Sequence, residues 1–168
     1  MLYIFFETEL RYNSELEGMI GLARKNEIPV SLHIKTLHRL GSESEEYVQD
    51  FSGKYILFEN AAYLRYMEQN ASDGEDALVT FKFEQDGKVQ LTRKMGQHKL
   101  HLYFEMGKRN EVPYHTPFGN VPLNVVTNAM QLEIEETPQV NGEIKIDYQL
   151  FNGDVPLGDY KIRLQFNV

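Results

Sequence analysis

The chain has no cysteine and no tryptophan, and only six prolines in 168 residues. Without cysteine there is no disulfide framework, no thiol nucleophile and no Cys-based zinc site. Long apolar runs are missing as well: no stretch approaches the roughly 20 residues that a membrane helix needs. The start, MLYIFFETEL, holds an apolar run of five residues, followed directly by Glu7 and Glu9 and without a basic segment. That is not the pattern of a signal peptide, so the expected location is the cytoplasm. Cations are also scarce. Lys and Arg number 17 against 25 Asp and Glu, a net charge of −8. A surface built to neutralise phosphates leans the other way, so neither nucleic acid nor membrane is an expected partner. The acidity itself reads as solubility.

What the chain does have is alternation. Tyr and Phe number 10 each, and apolar residues make up 42%. Rings among β-branched residues favour strands. At the C-terminus Tyr160, Ile162, Leu164, Phe166 and Val168 share one parity, while Lys161, Arg163, Gln165 and Asn167 take the other. Successive side chains of a strand point to opposite faces, so this segment has one buried wall and one wet wall. Similar segments recur from Val30 onward, about ten in all. Turn signals separate them at Gly41-Ser42, Ser52-Gly53, Asp86-Gly87, Asn141-Gly142 and Asn152-Gly153. The segment at 121–135 is long and is expected to bend. This spacing predicts an all-β fold, a single antiparallel barrel or sandwich over residues 29–168. Residues 1–28 are expected to form an N-terminal extension, docked on the body or dispensable: a strand or the start of a helix at 2–6, then a short helix at 14–25. Ser14 and Glu17 make a capping box there, and Gly18 and Gly21 weaken the helix.

Several strands are aromatic or apolar on both faces: Tyr63, Arg65 and Met67 oppose Leu64, Tyr66 and Glu68. A barrel with a partly lined interior explains this, because at about eight strands a lumen either just fills with side chains or holds one small ligand. Tyr66, Glu68, Lys82, Arg93 and Tyr148 are the polar or amphipathic residues within strands that attract attention. Lys82 and Arg93 flank the Asp86-Gly87 hairpin and are expected to be near neighbours. If their faces point inward, they form an interior anion or headgroup site, with Glu68 as the partner that a buried cation needs. If the faces point outward, the long stems simply lie over apolar surface. Both readings stand at this point.

No other constellation carries chemistry. His98 and His101 lie three apart, on opposite faces of a strand, as do His33 and His38 by parity, and His115 is alone. A metal site needs three or more converging ligands, and none is expected. Glu43, Glu45 and Glu46, like Glu133, Glu135 and Glu136, read as a solvated rim. Residues 73–76 lack the frame of a calcium loop, and nucleophile elbows and phosphate loops are absent. No catalytic residue, metal or cofactor is assigned.

At Tyr114-His115-Thr116-Pro117-Phe118-Gly119 the chain resembles the YxTPxG turn of the YwiB-like family of small bacterial proteins of unknown function. Tyr63 to Glu68 resembles that family's YxxYxE strand, Thr80-Phe81-Lys82 its TxxK-type strand, and Asp147 to Leu150 its late YxL strand. Arg93 to Gly96 resembles its RxG turn with one residue inserted. The resemblance runs over roughly residues 29–168. It implies a calycin-like, lipocalin-type antiparallel barrel of about eight to ten strands in a cytoplasmic protein, and it brings no known activity. In the turn, Pro117 fixes φ and Gly119 can take a positive φ. Thr116 is expected to cap the turn with its hydroxyl and Phe118 to plug one barrel end. The candidate ligand-binding residues are therefore Tyr66, Glu68, Lys82, Arg93, Tyr114, Thr116 and Tyr148. The leading expectation is a non-enzymatic barrel that binds a small, partly apolar molecule. The alternative is a protein-interaction or structural barrel with a filled interior, and an enzyme comes third. Monomer and homodimer both remain open.

Overall fold

The computed structural model describes residues 27–168 apart from Asp73. The strand or helix start expected at 2–6 and the helix expected at 14–25 lie outside the described residues. Ten strands follow one another: β1 (Glu27–Leu40), β2 (Glu43–Leu57), β3 (Ala61–Ser72), β4 (Glu75–Glu84) and β5 (Val89–Met95), then β6 (His98–Phe104), β7 (Arg109–Thr116), β8 (Gly119–Glu135), β9 (Asn141–Asn152) and β10 (Val155–Asn167). Each pairs antiparallel with the next, and β10 returns to pair with β1. The fold is an all-β, closed, up-and-down barrel. No helix among the described residues is long and apolar enough to cross a membrane.

The alternation in the sequence becomes the two faces of this wall. Val30, Leu32 and Ile34 of β1 point inward, as do Val79, Phe81 and Phe83 of β4, and all are buried. Ile144, Ile146 and Tyr148 of β9 meet Ile162, Leu164 and Phe166 of β10 in the same lumen. Each such side chain contributes about 1.5–3 kcal/mol by leaving water, so burial in the interior is a large stabilising term in a chain that has no cysteine for a disulfide.

One end of the lumen is packed shut. Tyr55 stacks on Phe166 with ring centres 5.5 Å apart, and its hydroxyl donates to the Glu136 carboxylate at 3.0 Å. The Val168 amide donates to the Val140 carbonyl at 3.1 Å and ties the chain end across the same rim.

Two expected turns are not turns. Ser52-Gly53 lies inside β2, which runs unbroken from Glu43 to Leu57. A Cβ on Gly53 would sit 2.6 Å from both the Arg65 carbonyl oxygen and the Leu32 side chain, so the glycine serves close approach of strands. Asn141-Gly142 likewise belongs to β9, and the turn falls earlier, at 136–140. A Cβ on Gly142 would meet the Phe166 ring at 2.5 Å, so this residue makes room for an aromatic. The bend expected in the long strand is present as a register shift in β8 between Thr127 and Ala129.

Gly53 also marks where the wall divides. The β2–β3 ladder covers only residues 53–57 of β2 against 62–66 of β3. Beyond it, β2 follows β1 alone while β3 follows β4, and the barrel is split on that side. Gly53→Ala is expected to destabilise the chain by about 1–3 kcal/mol through overpacking. Urea unfolding that leaves the midpoint unchanged would show that the close approach is not there.

Candidate functional site

The end opposite the packed rim is open. It holds a cavity of about 330 Å³ lined by residues of β1, β2, β3, β4, β5, β6, β9 and β10. That volume is at the low end of the ~300–1,000 Å³ range of small-molecule sites. A ten-strand wall encloses more width than eight strands would, and here the side chains do not fill it.

Arg93 and Glu68 supply the charge. Arg93 is aligned with the inward Val79, and Glu68 with the inward Ala77, so the register brings both side chains into the lumen. Arg93 Nε and Nη2 both donate to Glu68 Oε2, each at 2.8 Å. This ion pair uses neither Glu68 Oε1 nor Arg93 Nη1. It is half-buried, which leaves it in reach of anything that enters the cavity.

Aromatic rings supply the walls. His38, Tyr160 and Tyr148 lie on three adjacent strands and stack in a row, with centres 4.4 Å and 5.1 Å apart. Phe104 meets Tyr148 edge-on at 4.9 Å and carries the row into the core. On the other side Phe51 packs against Tyr66 at 4.7 Å. The His38 ring can lie there because Gly158 has no side chain: a Cβ would stand 2.5 Å from His38 Nε2. That nitrogen is 3.2 Å from the Leu157 carbonyl oxygen. Burial pushes the Tyr66 and Tyr148 hydroxyls well above the ordinary tyrosine pKa. At Tyr66 the Glu68 carboxylate adds to the rise and Arg93 opposes it.

Four of the seven residues named from sequence therefore meet in one place: Tyr66, Glu68, Arg93 and Tyr148. Lys82 does not join them. The register sets it beside Tyr63 and Gln90, on the outer wall, with Nζ 3.1 Å from Glu84. Lys82 and Arg93 are not neighbours across the hairpin, because the two lie on opposite faces. Lys82 instead borders an open groove of about 670 Å³ with Phe58, Asn60 and Asp86. Tyr114 is half-buried, packs against the core and does not line the cavity. Thr116 caps its turn: its hydroxyl donates to the Gly119 carbonyl at 2.8 Å and accepts from the Phe118 amide at 3.2 Å. Phe118 plugs nothing, since its side chain is 100% exposed.

Tyr160, His38, Glu45 and Tyr47 line the same cavity and were missed. Parity alone contained the signal for two of them. Tyr160 shares the inward face of Ile162 and Leu164, and His38 that of Leu32 and Ile34. His98 and His101 do face opposite ways: His101 stacks on Tyr103 at 4.7 Å on the outer wall. Among the described residues no three His, Cys, Asp or Glu side chains converge as a metal site.

The raised tyrosine pKa values have a pH consequence. Ionisation is harder in the folded chain than in the unfolded one, so this contribution to stability is complete below the ordinary value of 10.0 and is lost as pH rises through the folded-state values. Each group adds at most about 1.4 kcal/mol per pH unit to that loss. Urea unfolding at stepwise alkaline pH is expected to show the slope, and Tyr66→Phe to reduce it. An unchanged slope in Tyr66→Phe would refute the assignment.

Comparison with known proteins agrees with the architecture. Residues 32–164 match the family described as "Domain of unknown function (DUF1934)". The curated "Uncharacterized beta-barrel protein YwiB" of Bacillus subtilis (strain 168) is 27% identical over 132 residues, which cover 77% of this chain and 87% of that protein. The crystal structure of the ywiB protein from Bacillus subtilis superposes with a TM-score of 0.71 at 24% identity, covering 84% of this chain and 92% of the other. With the matched region running from β1 to β10, the chain belongs to the DUF1934 family of β-barrel proteins.

Proposed function

We propose that this barrel binds one small, partly apolar molecule in its open end and performs no chemistry on it, as a calycin-like cup within the cytoplasm. The observation that carries this reading is the cavity of about 330 Å³ whose rings surround a single half-buried ion pair. Tyr66, Tyr148, Tyr160, Leu91 and Leu100 offer apolar and aromatic surface, while Arg93 Nη1 is a donor and Glu68 Oε1 an acceptor that their ion pair does not use. A few placed polar groups in an apolar pocket orient a ligand and set its specificity. The packed lower half favours the second reading, a barrel that is mainly a scaffold for a protein partner.

Native mass spectrometry of freshly purified protein, set against its denatured mass, separates the two. A reproducible extra mass lost on denaturation is the expected result. For the ligand so identified, Arg93→Met is expected to weaken binding about 10- to 100-fold, the worth of a charge-assisted hydrogen bond. Lys82→Met, on the outer wall, leaves affinity unchanged. Equal affinities for Arg93→Met and the parent chain would sink the proposed orientation of the ligand.

A further inference from the structure

Among the described residues the first part of β2 has one neighbouring strand. Residues 43–52 pair with β1 throughout, and among the described residues no strand pairs with their other edge. Residues 43–50 are all exposed. This edge is about 33 Å long at ordinary strand rise. Natural edges are usually blunted by proline, by a bulge or by charged side chains, lysine above all. Here the sequence ESEEYVQDFS contains no proline and no lysine, and the β1–β2 register runs without a shift. The only charges are the acids Glu43, Glu45, Glu46 and Asp50, which guard the edge against acidic strands but not against basic ones. Two apolar side chains stand at its centre on opposite faces: Tyr47 is 56% exposed and Val48 is 52% exposed. The edge is also one lip of the split wall, and Glu45 and Tyr47 line the cavity behind it.

From this we infer that this edge of β2, which no described strand pairs, accepts an extended, basic segment of another protein as an added antiparallel strand. Main-chain hydrogen bonds to a sheet edge give affinity, and alternate side chains give specificity. The charges along β2 choose the occupant. Glu43, Glu45, Glu46 and Asp50 lie on the edge strand itself and stand directly opposite any added strand, where cross-strand side chains come within about 4.5–5.5 Å. The side chains that answer two of them, Lys35 for Glu46 at 2.9 Å and His33 for Asp50 at 2.6 Å, sit on β1, one strand further away. A second copy of this chain would bring another net −8 against the same acids. The pattern that fits residues 50 to 45 in antiparallel order is a basic residue, a polar one, two apolar ones and two basic ones.

The test uses the isotope-labelled full chain and the peptide Thr-Lys-Thr-Val-Val-Lys-Lys-Thr, with both ends blocked. Amide shifts are followed by NMR at low ionic strength. Saturable shifts are expected in residues 43–52. The peptide with Glu at each Lys position is expected to bind at least about tenfold more weakly, and added salt to narrow that gap. N-methylation at alternate peptide positions removes the donors of one edge, so one of the two methylated series loses binding and the other keeps it. The double variant E45K/E46K, changed only at exposed positions, is expected to reverse the preference between the two charged peptides. Equal binding of both peptides overturns the inference, as do shifts that avoid β2. Concentration-dependent doubling of the mass of the chain alone, with the same amides shifting, would also overturn it and give the edge to a second copy.

Discussion

Closure by the β1–β10 ladder is the constraint from which the rest follows. Nine residues of β1, from Ser31 to Arg39, find partners in β10 and turn ten consecutive strands into a ring. The ring sets a circumference, and the circumference sets how much side-chain volume the lumen needs. At the packed rim Tyr55, Phe166, Ile144 and Leu164 meet that need. At the other rim the inward positions are taken by Glu68, Arg93, Thr36 and His38, whose bulk and polarity cannot make a dry core. The cavity is thus what remains when a ring of this width runs out of large apolar residues.

Closure is also incomplete along its length. The ladder between β2 and β3 ends at Gly53, and the two strands diverge toward the open rim. The same geometry yields three things together: the opening into the lumen, the exposed edge of β2, and the meeting of Phe51 with Tyr66 at the fork. The proposed small-molecule binding in the cup and the inferred strand addition at its lip are therefore neighbours in space, though they rest on different groups. The first depends on side chains in the lumen and the second on the main chain of β2.

Much of this was legible in the chain, and the failures have physical causes. Period-two alternation identifies strands and groups the side chains of each face because the pleat leaves no other choice: it sets Tyr66 and Glu68 with Leu64, and Tyr148 with Ile144 and Ile146. What alternation lacks is an absolute sign for short, ambivalent strands. Lys82 sits between Phe81 and Phe83, and those two rings claim the lumen. Glycine pairs misled twice, at 52–53 and 141–142, because glycine is demanded both by turns and by close approach, and only the positive φ distinguishes them. Gly87 at φ 85° is a true turn residue, while Gly53 and Gly142 yield space to Leu32 and Phe166. Phe118 failed for another reason. A hairpin tip held by the Thr116 hydroxyl projects beyond the rim, and its side chain follows the backbone into solvent.

The lack of tryptophan acquires a use once the cavity is known. Phenol rings are the chain's only near-ultraviolet emitters of consequence. Four of its ten tyrosines, Tyr47, Tyr66, Tyr148 and Tyr160, line the cavity. Two of these are stacked face to face, close enough to share excitation. A ligand of the kind proposed would change the polarity and quenching around these rings on entering or leaving the cup. The molecule carries its own optical gauge of occupancy, with no indole background to obscure the reading.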